Sequence, residues 1–247
     1  MKKTGTFLLV VGLFLLLVPS GMGQIPIPPN EELEDIIVAS WVKGIEIFDV
    51  SDPTNPKHLS HLEPTWWEHD STTKYDVFVK DNYVYVADDE KGLVIVNISI
   101  PGSPKEVGHY DTAGWAWGVY VRDEYAYVAD VDNGIVILDI SNPYSPKEVG
   151  HYNTEGLAVG VYVKENYAYV ADDSNGLVIL DISDPTNPKE VGHYNTEGEA
   201  LDVYVKDNYA YVADGYGSLV IVDISDPKNP TLSAHIPQFV FVGISGN

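Results

Sequence analysis

The chain contains no cysteine, and the side chains that stand out as candidates for chemistry are carboxylates, imidazoles and aromatic rings. Asp76 and Asp202 come first, because they hold equivalent places in the repeat described below. Two carboxylates across a cavity are what acid–base hydrolysis of a glycosidic bond requires. Aromatic rings form the second set. Trp66 and Trp67 stand in PTWWEHDSTT (64–73), Trp115 and Trp117 in GWAWG (114–118), and Trp41 and Tyr216 in shorter connections. Indole platforms beside carboxylates suit sugar rings through stacking and hydrogen bonds, or ammonium groups through cation–π attraction. The competing use of these tryptophans is to fill gaps under long loops.

Metal ligation is a thinner reading. His69 lies between Glu68 and Asp70, one imidazole flanked by two carboxylates. DVDNG (130–134) and DDSNG (172–176) place Asp130, Asp132, Asp172 and Asp173 ahead of a glycine, as calcium turns do. The full EF-hand spacing and its terminal glutamate are missing, and Asp in such loops commonly caps its own turn. A structural calcium ion is the one cofactor the sequence suggests. No nucleophile elbow or phosphate loop appears, so the expectation is a protein that is not an enzyme.

These residues are positioned by an internal repeat. YVAD stands at 85–88, 127–130, 169–172 and 211–214, and PKEVGHY at 104–110, 146–152 and 188–194, each stepping by 42. PKEVGHYNTEG recurs verbatim at 146–156 and 188–198. Within one unit, GVYV, YAYVAD, LVILDIS and KEVGHY are short strand patterns separated by turn residues. Four short strands in about 42 residues is the size of a propeller blade. The third strand carries LVIVN at 93–97, IVILD at 135–139, LVILD at 177–181 and LVIVD at 219–223. In these motifs the chain resembles the LVIVD-repeat family over residues 36–247. The resemblance implies an exported or surface propeller-like protein of archaea or bacteria, and no particular activity.

Complete units occupy 76–110, 118–152, 160–194 and 202–236. Residues 36–62 match strands two to four, and FVFV at 239–242 matches strand one. Together they predict an all-β, five-bladed β-propeller closed by N- and C-terminal strands sharing one blade, which hides the sheet edges. A piece of a larger ring is the alternative. The turn between strands two and three then shares one side, the top, with the connections between blades. That side gathers all five tryptophans and many carboxylates. His61, His109, His151, His193 and His235 recur on the outer strand and read as structural. The distance from His61 to Asp76 exceeds that from His109 to Gly118 by six residues, so PTWWEHDSTT expands one top connection. Asn97 opens an NIS glycosylation sequon.

Residues 1–23 read as a signal peptide. Lys2 and Lys3 precede the apolar run 7–18, and Gly21 and Gly23 suit cleavage near Gly23. A retained anchor extending through Met22 is the alternative. Residues 24–35 form a Pro-rich, acidic linker. With 45% hydrophobic and 21% charged residues the chain is globular, and its net charge of −23 argues against nucleic acid and anionic membranes as partners. The sequence therefore predicts a secreted or cell-surface binding module for a protein or carbohydrate ligand, with Trp41, Trp66, Trp67, His69, Asp76, Trp115, Trp117, Asp202 and Tyr216 at its face. A carbohydrate-active hydrolase using Asp76 and Asp202, and an envelope scaffold without a small ligand, are the alternatives.

Overall fold

A computed structural model describes residues 36–41, 44–62, 76–215 and 218–237. These residues form five antiparallel sheets. Blade 1 holds β1 (Ile36–Trp41), β2 (Gly44–Asp49) and β3 (Lys57–Leu62). Blade 2 holds β4 (Asp76–Lys80), β5 (Tyr83–Ala87), β6 (Leu93–Asn97) and β7 (Lys105–Tyr110). Blade 3 holds β8 (Gly118–Arg122), β9 (Tyr125–Ala129), β10 (Ile135–Asp139) and β11 (Lys147–Tyr152). Blade 4 holds β12 (Gly160–Lys164), β13 (Tyr167–Ala171), β14 (Leu177–Asp181) and β15 (Lys189–Tyr194). Blade 5 holds β16 (Ala200–Lys206), β17 (Tyr209–Asp214), β18 (Ser218–Asp223) and β19 (Thr231–Ile236). Each four-stranded blade is a meander in chain order, and the array is the expected five-bladed propeller. The expected signal peptide, linker and closing strand at 239–242 lie outside the described residues. One boundary differs. β16 begins at Ala200, two residues before the expected Asp202, because Ala200 pairs with Asp214 across a register shift.

Period-two alternation sorts each blade into two faces, and the cores form between blades. Tyr127, Ala129, Ile135 and Ile137 of blade 3 pack against Val161, Val163, Ala168, Val170, Val178 and Leu180 of blade 4. The same pattern joins blades 1 and 2, 2 and 3, and 4 and 5. The LVIVD strand is buried on both faces because it lies between two such cores, which is why it is an unbroken aliphatic run rather than an alternating one. Burying one such isoleucine contributes about 1.5–3 kcal/mol.

Glycine decides how closely blades approach. A Cβ at Gly118 would lie 3.1 Å from the Cα of Gly160, and one at Gly150 would lie 1.9 Å from the carbonyl oxygen of Pro185 in the next blade. The first glycine lets inner strands crowd together; the second seats the outer strand under the neighbouring corner. Lys80 and Lys164 donate to the carbonyl oxygens of Asp123 and Asp207, stitching the bottoms of the inner strands of blades 2 and 4 to the following blade. In the corner after strand three, Asp49, Asp139, Asp181 and Asp223 each accept an N–H from the serine two residues on. Asn97 accepts the N–H of Ser99 in the same way, so the amide in the sequon serves the turn as well as the carboxylate does.

Candidate functional site

The site is built where inner strands and top connections meet. Asp76 opens β4, and its Oδ1 accepts the N–H of Val77 at 2.9 Å while its Oδ2 accepts that of Val119, in blade 3, at 3.0 Å. Asp202 lies in β16, and its Oδ1 accepts the N–H of Val203 at 2.8 Å. The two carboxylates feel one another. Burial is the main cause that pushes the Asp76 carboxyl up to about 7, the negative charge of Asp202 adds to it, and the two N–H donors oppose it. Part of the Asp76 side chain remains accessible, yet surrounding strands enclose it, and enclosure dominates its ionisation.

Beneath this pair runs an arc of rings that the sequence reading passed over. Phe78, Tyr120, Tyr162 and Tyr204 each stand two residues after the Asp or Gly of the inner strand, on the same face. Their centroids are 4.8, 4.8 and 5.4 Å apart from one blade to the next, with planes tilted by 53–80°. Burial pushes the hydroxyls of Tyr120 and Tyr162 up, and Tyr120 and Tyr162 are hydrogen-bonded to one another. The signal in the sequence is one aromatic residue per 42, two positions after the Asp or Gly that opens the inner strand.

The top turns have a mechanical job. Thr112 Oγ1 donates to Asp130 Oδ1 at 2.5 Å, and Asn133 Nδ2 donates to Asp130 Oδ2 at 2.9 Å and to the Thr112 carbonyl at 2.8 Å. Thr154, Asn175 and the N–H of Gly156 surround Asp172 likewise, and Thr196 donates to Asp214 at 2.6 Å. Each threonine belongs to the connection leaving one blade and each aspartate to the next blade, so the YVAD aspartate latches consecutive blades. Burial raises Asp130 and Asp172 above the ordinary carboxylate range, and these hydrogen bonds hold the rise back. Asp132 is exposed on the same turn. Asp173 has a left-handed backbone, φ 48°, and its main chain bridges to Ala200. Among the described residues no three His, Cys, Asp or Glu side chains are placed to hold a metal ion.

Of the aromatic candidates, Trp117 is half-buried and its Nε1 donates to Asp89 Oδ1 at 3.2 Å, while Trp115 is 47% exposed two residues earlier. Trp41 ends β1 at the top, in the place where the other blades carry the latch aspartate. Trp66, Trp67, His69 and Tyr216 lie outside the described residues. The outer-strand histidines fall in one register, opposite Glu46, Val94, Val136, Val178 and Val220. His151 and His193 each place Nε2 2.5 Å from the carbonyl oxygen of Asn133 or Asn175.

A family model for the LVIVD repeat matches residues 36–61, 74–112, 113–154, 155–196 and 197–236. The chain is a member of the LVIVD-repeat family. No curated protein matches it. Among solved structures, this LVIVD-repeat protein is similar to the computationally designed Ika8 protein (TM-score 0.60, 14% identity, covering 82% of this chain and 58% of that one). It is also similar to a functionally unknown protein from Desulfotomaculum acetoxidans DSM 771 (TM-score 0.64, 17% identity, 82% and 65%). At these identities the likeness concerns the fold alone. The chain spans less than two thirds of the length of either structure.

Proposed function

We propose that this LVIVD-repeat protein is an exported binding module of the cell surface that holds a carbohydrate or protein ligand on its top face. One observation carries the reading. Three equivalent connections read GWAWG (114–118), GLAVG (156–160) and GEALD (198–202), so Leu157 or Glu199, and Val159 or Leu201, do in the sister blades whatever packing requires. Two indoles in one connection alone, one of them 47% exposed and the other oriented by Asp89, are more than the repeat needs. Trp117 also packs against the apolar core between blades 4 and 5, so the exposed Trp115 is the ring free to meet a sugar, which offers an apolar face for stacking and hydroxyl groups that donate to carboxylates. The LVIVD family, the apolar run at 7–18 and the acidic composition support export.

The test is glycan-array and peptide screening of the native chain against the double variant Trp115→Leu, Trp117→Val, which carries the residues of the sister blade. Loss of a native signal in the folded variant supports the reading; an equal signal, or none in either protein, sinks it. A second reading rests on the Asp76 carboxyl, raised to about 7 beside a second carboxylate, which is the state a general acid needs near neutral pH. Sugar release from polysaccharide that disappears in Asp76→Asn would establish hydrolysis in place of binding alone.

A further inference from the structure

The corner after strand three is one device repeated in every blade, and blade 2 departs from it at positions 97 and 100. Blades 1, 3, 4 and 5 read DVSDPTNPK (49–57), DISNPYSPK (139–147), DISDPTNPK (181–189) and DISDPKNPT (223–231); blade 2 reads NISIPGSPK (97–105). Aspartate suits the first position twice over. Hydrogen bonds from Ser51, Ser141 and Ser183, and then the lysine paired across the strands, hold Asp49, Asp139 and Asp181 below the ordinary carboxylate range. Asn97 keeps the bond to the Ser99 N–H at 2.8 Å but offers no charge to Lys105, its partner in register. In Asp49 the second oxygen, Oδ2, lies 3.7 Å from the Nζ of exposed Lys57; with Oδ1 of Asn97 bound to Ser99, the second atom there is Nδ2. At position 100 the sisters carry Asp52, Asn142, Asp184 and Asp226, each accepting an N–H two residues on. Ile100 has no acceptor to offer and stands 55% exposed. The corner is anchored all the same, since Ile98 and Pro101 are buried and Ser60 of blade 1 donates to the Pro101 carbonyl oxygen.

We propose that Asn97 is an N-glycosylation site, taking one oligosaccharide per chain on the bottom of blade 2. The inference rests on export as proposed for this chain, since N-linked sugars belong to exported proteins. Asn97, Ile98 and Ser99 satisfy N-x-S with a residue other than proline between. The serine recurs in every corner, at 51, 99, 141, 183 and 225, yet only blade 2 sets asparagine two residues ahead of it; Asn229-Pro-Thr is barred by its proline. Transfer forms a bond from Nδ2 to the anomeric carbon of a sugar activated on a polyisoprenoid phosphate. The bond from that carbon to the phosphate oxygen breaks, the lipid phosphate leaves with the electron pair, and Nδ2 gives up one proton. Such a donor is anionic. The sister corners meet it with one or two carboxylates each, whereas residues 97–105 hold no acid and one lysine, so blade 2 is the corner that a phosphate-borne sugar approaches without repulsion. The sugar chain, bulky and solvated, stands three residues from exposed Ile100 and on the side away from the top face.

Mass spectrometry of the full chain, purified from the native host that makes it, tests the site. The peptide 92–105, released by cleavage after Lys91 and Lys105, is expected to carry the mass of one glycan. Asn97→Asp installs the sister residue and Ser99→Ala leaves the Ser99 N–H in place, so both variants keep the corner and lose the added mass completely. Ser99→Thr, which keeps a hydroxyl, retains it. Fractionation of the same culture separates this proposal from the one it rests on. A chain found outside the cytoplasm with a bare 92–105 peptide overturns the site and leaves export standing; a chain recovered only from the cytoplasm sinks both. Added mass that survives Asn97→Asp also overturns the proposal.

Discussion

Asp76 is a carboxyl group that the folded chain prefers to keep protonated. Its ordinary value is 3.8 and burial lifts it to about 7, so the stability it confers is fully present below about pH 4 and is lost as pH rises through 7. Asp76→Asn removes the ionisation while keeping an oxygen for the Val119 N–H. The variant should be more stable than the native chain at pH 8, and its denaturation midpoint should vary less between pH 4 and 7; urea unfolding across that range measures both. A variant less stable than the native chain at pH 8 would show that the two N–H bonds outweigh burial. Repeat arithmetic sets Asp76 and Asp202 at equivalent points of inner strands, and the charge of Asp202 is felt at Asp76. Sequence could not say that Val119 would complete the Asp76 environment, because that contact spans two blades.

The connections between blades are the elements on which the site rests. Each runs between a top turn of its own blade, bridged through Ala116, Ala158 or Ala200, and the buried aspartate of the next. Their conformation is thus fixed from both sides, which holds Trp115 and Trp117 in place. Asp172→Ala strips three partners, Thr154, Asn175 and the N–H of Gly156, of their acceptor in a buried setting. A loss of about 2–3 kcal/mol is expected, read as a drop in melting temperature, while exposed Asp132→Ala on a sister turn should change little. The strands were legible because alternation and turn residues repeat four times over. The latch was not: an aspartate ahead of NG looks the same whether it holds calcium, caps its own turn or receives a threonine 18 residues earlier. Only the fold shows which neighbour arrives.

At the scale of the whole molecule, charge opposes compaction. A net charge of −23 on 247 residues places like charges within a Debye length of one another over most of the surface. Melting temperature should therefore rise as sodium chloride goes from about 10 mM to 0.5 M, the reverse of what a fold held by surface ion pairs would do, and few such pairs occur among the described residues. Among the described residues stability comes instead from apolar cores between successive blades, which makes neighbouring blades interdependent.

The latch between blades has a genealogical consequence. Each is written half in one unit and half in the next, threonine ahead and aspartate behind, at a spacing of 18 residues within a period of 42. A tandem copy of one period inserted between blades 2 and 5 arrives with a hydroxyl for its successor and a carboxylate for its predecessor, so duplication there requires no compensating change at either junction. That accounts for units that have stayed verbatim over eleven residues. It also leaves the chain unable to distinguish one copy from another while it folds: Thr154 and Thr196 sit in identical segments, and either can close on the wrong blade and find a native-like partner there.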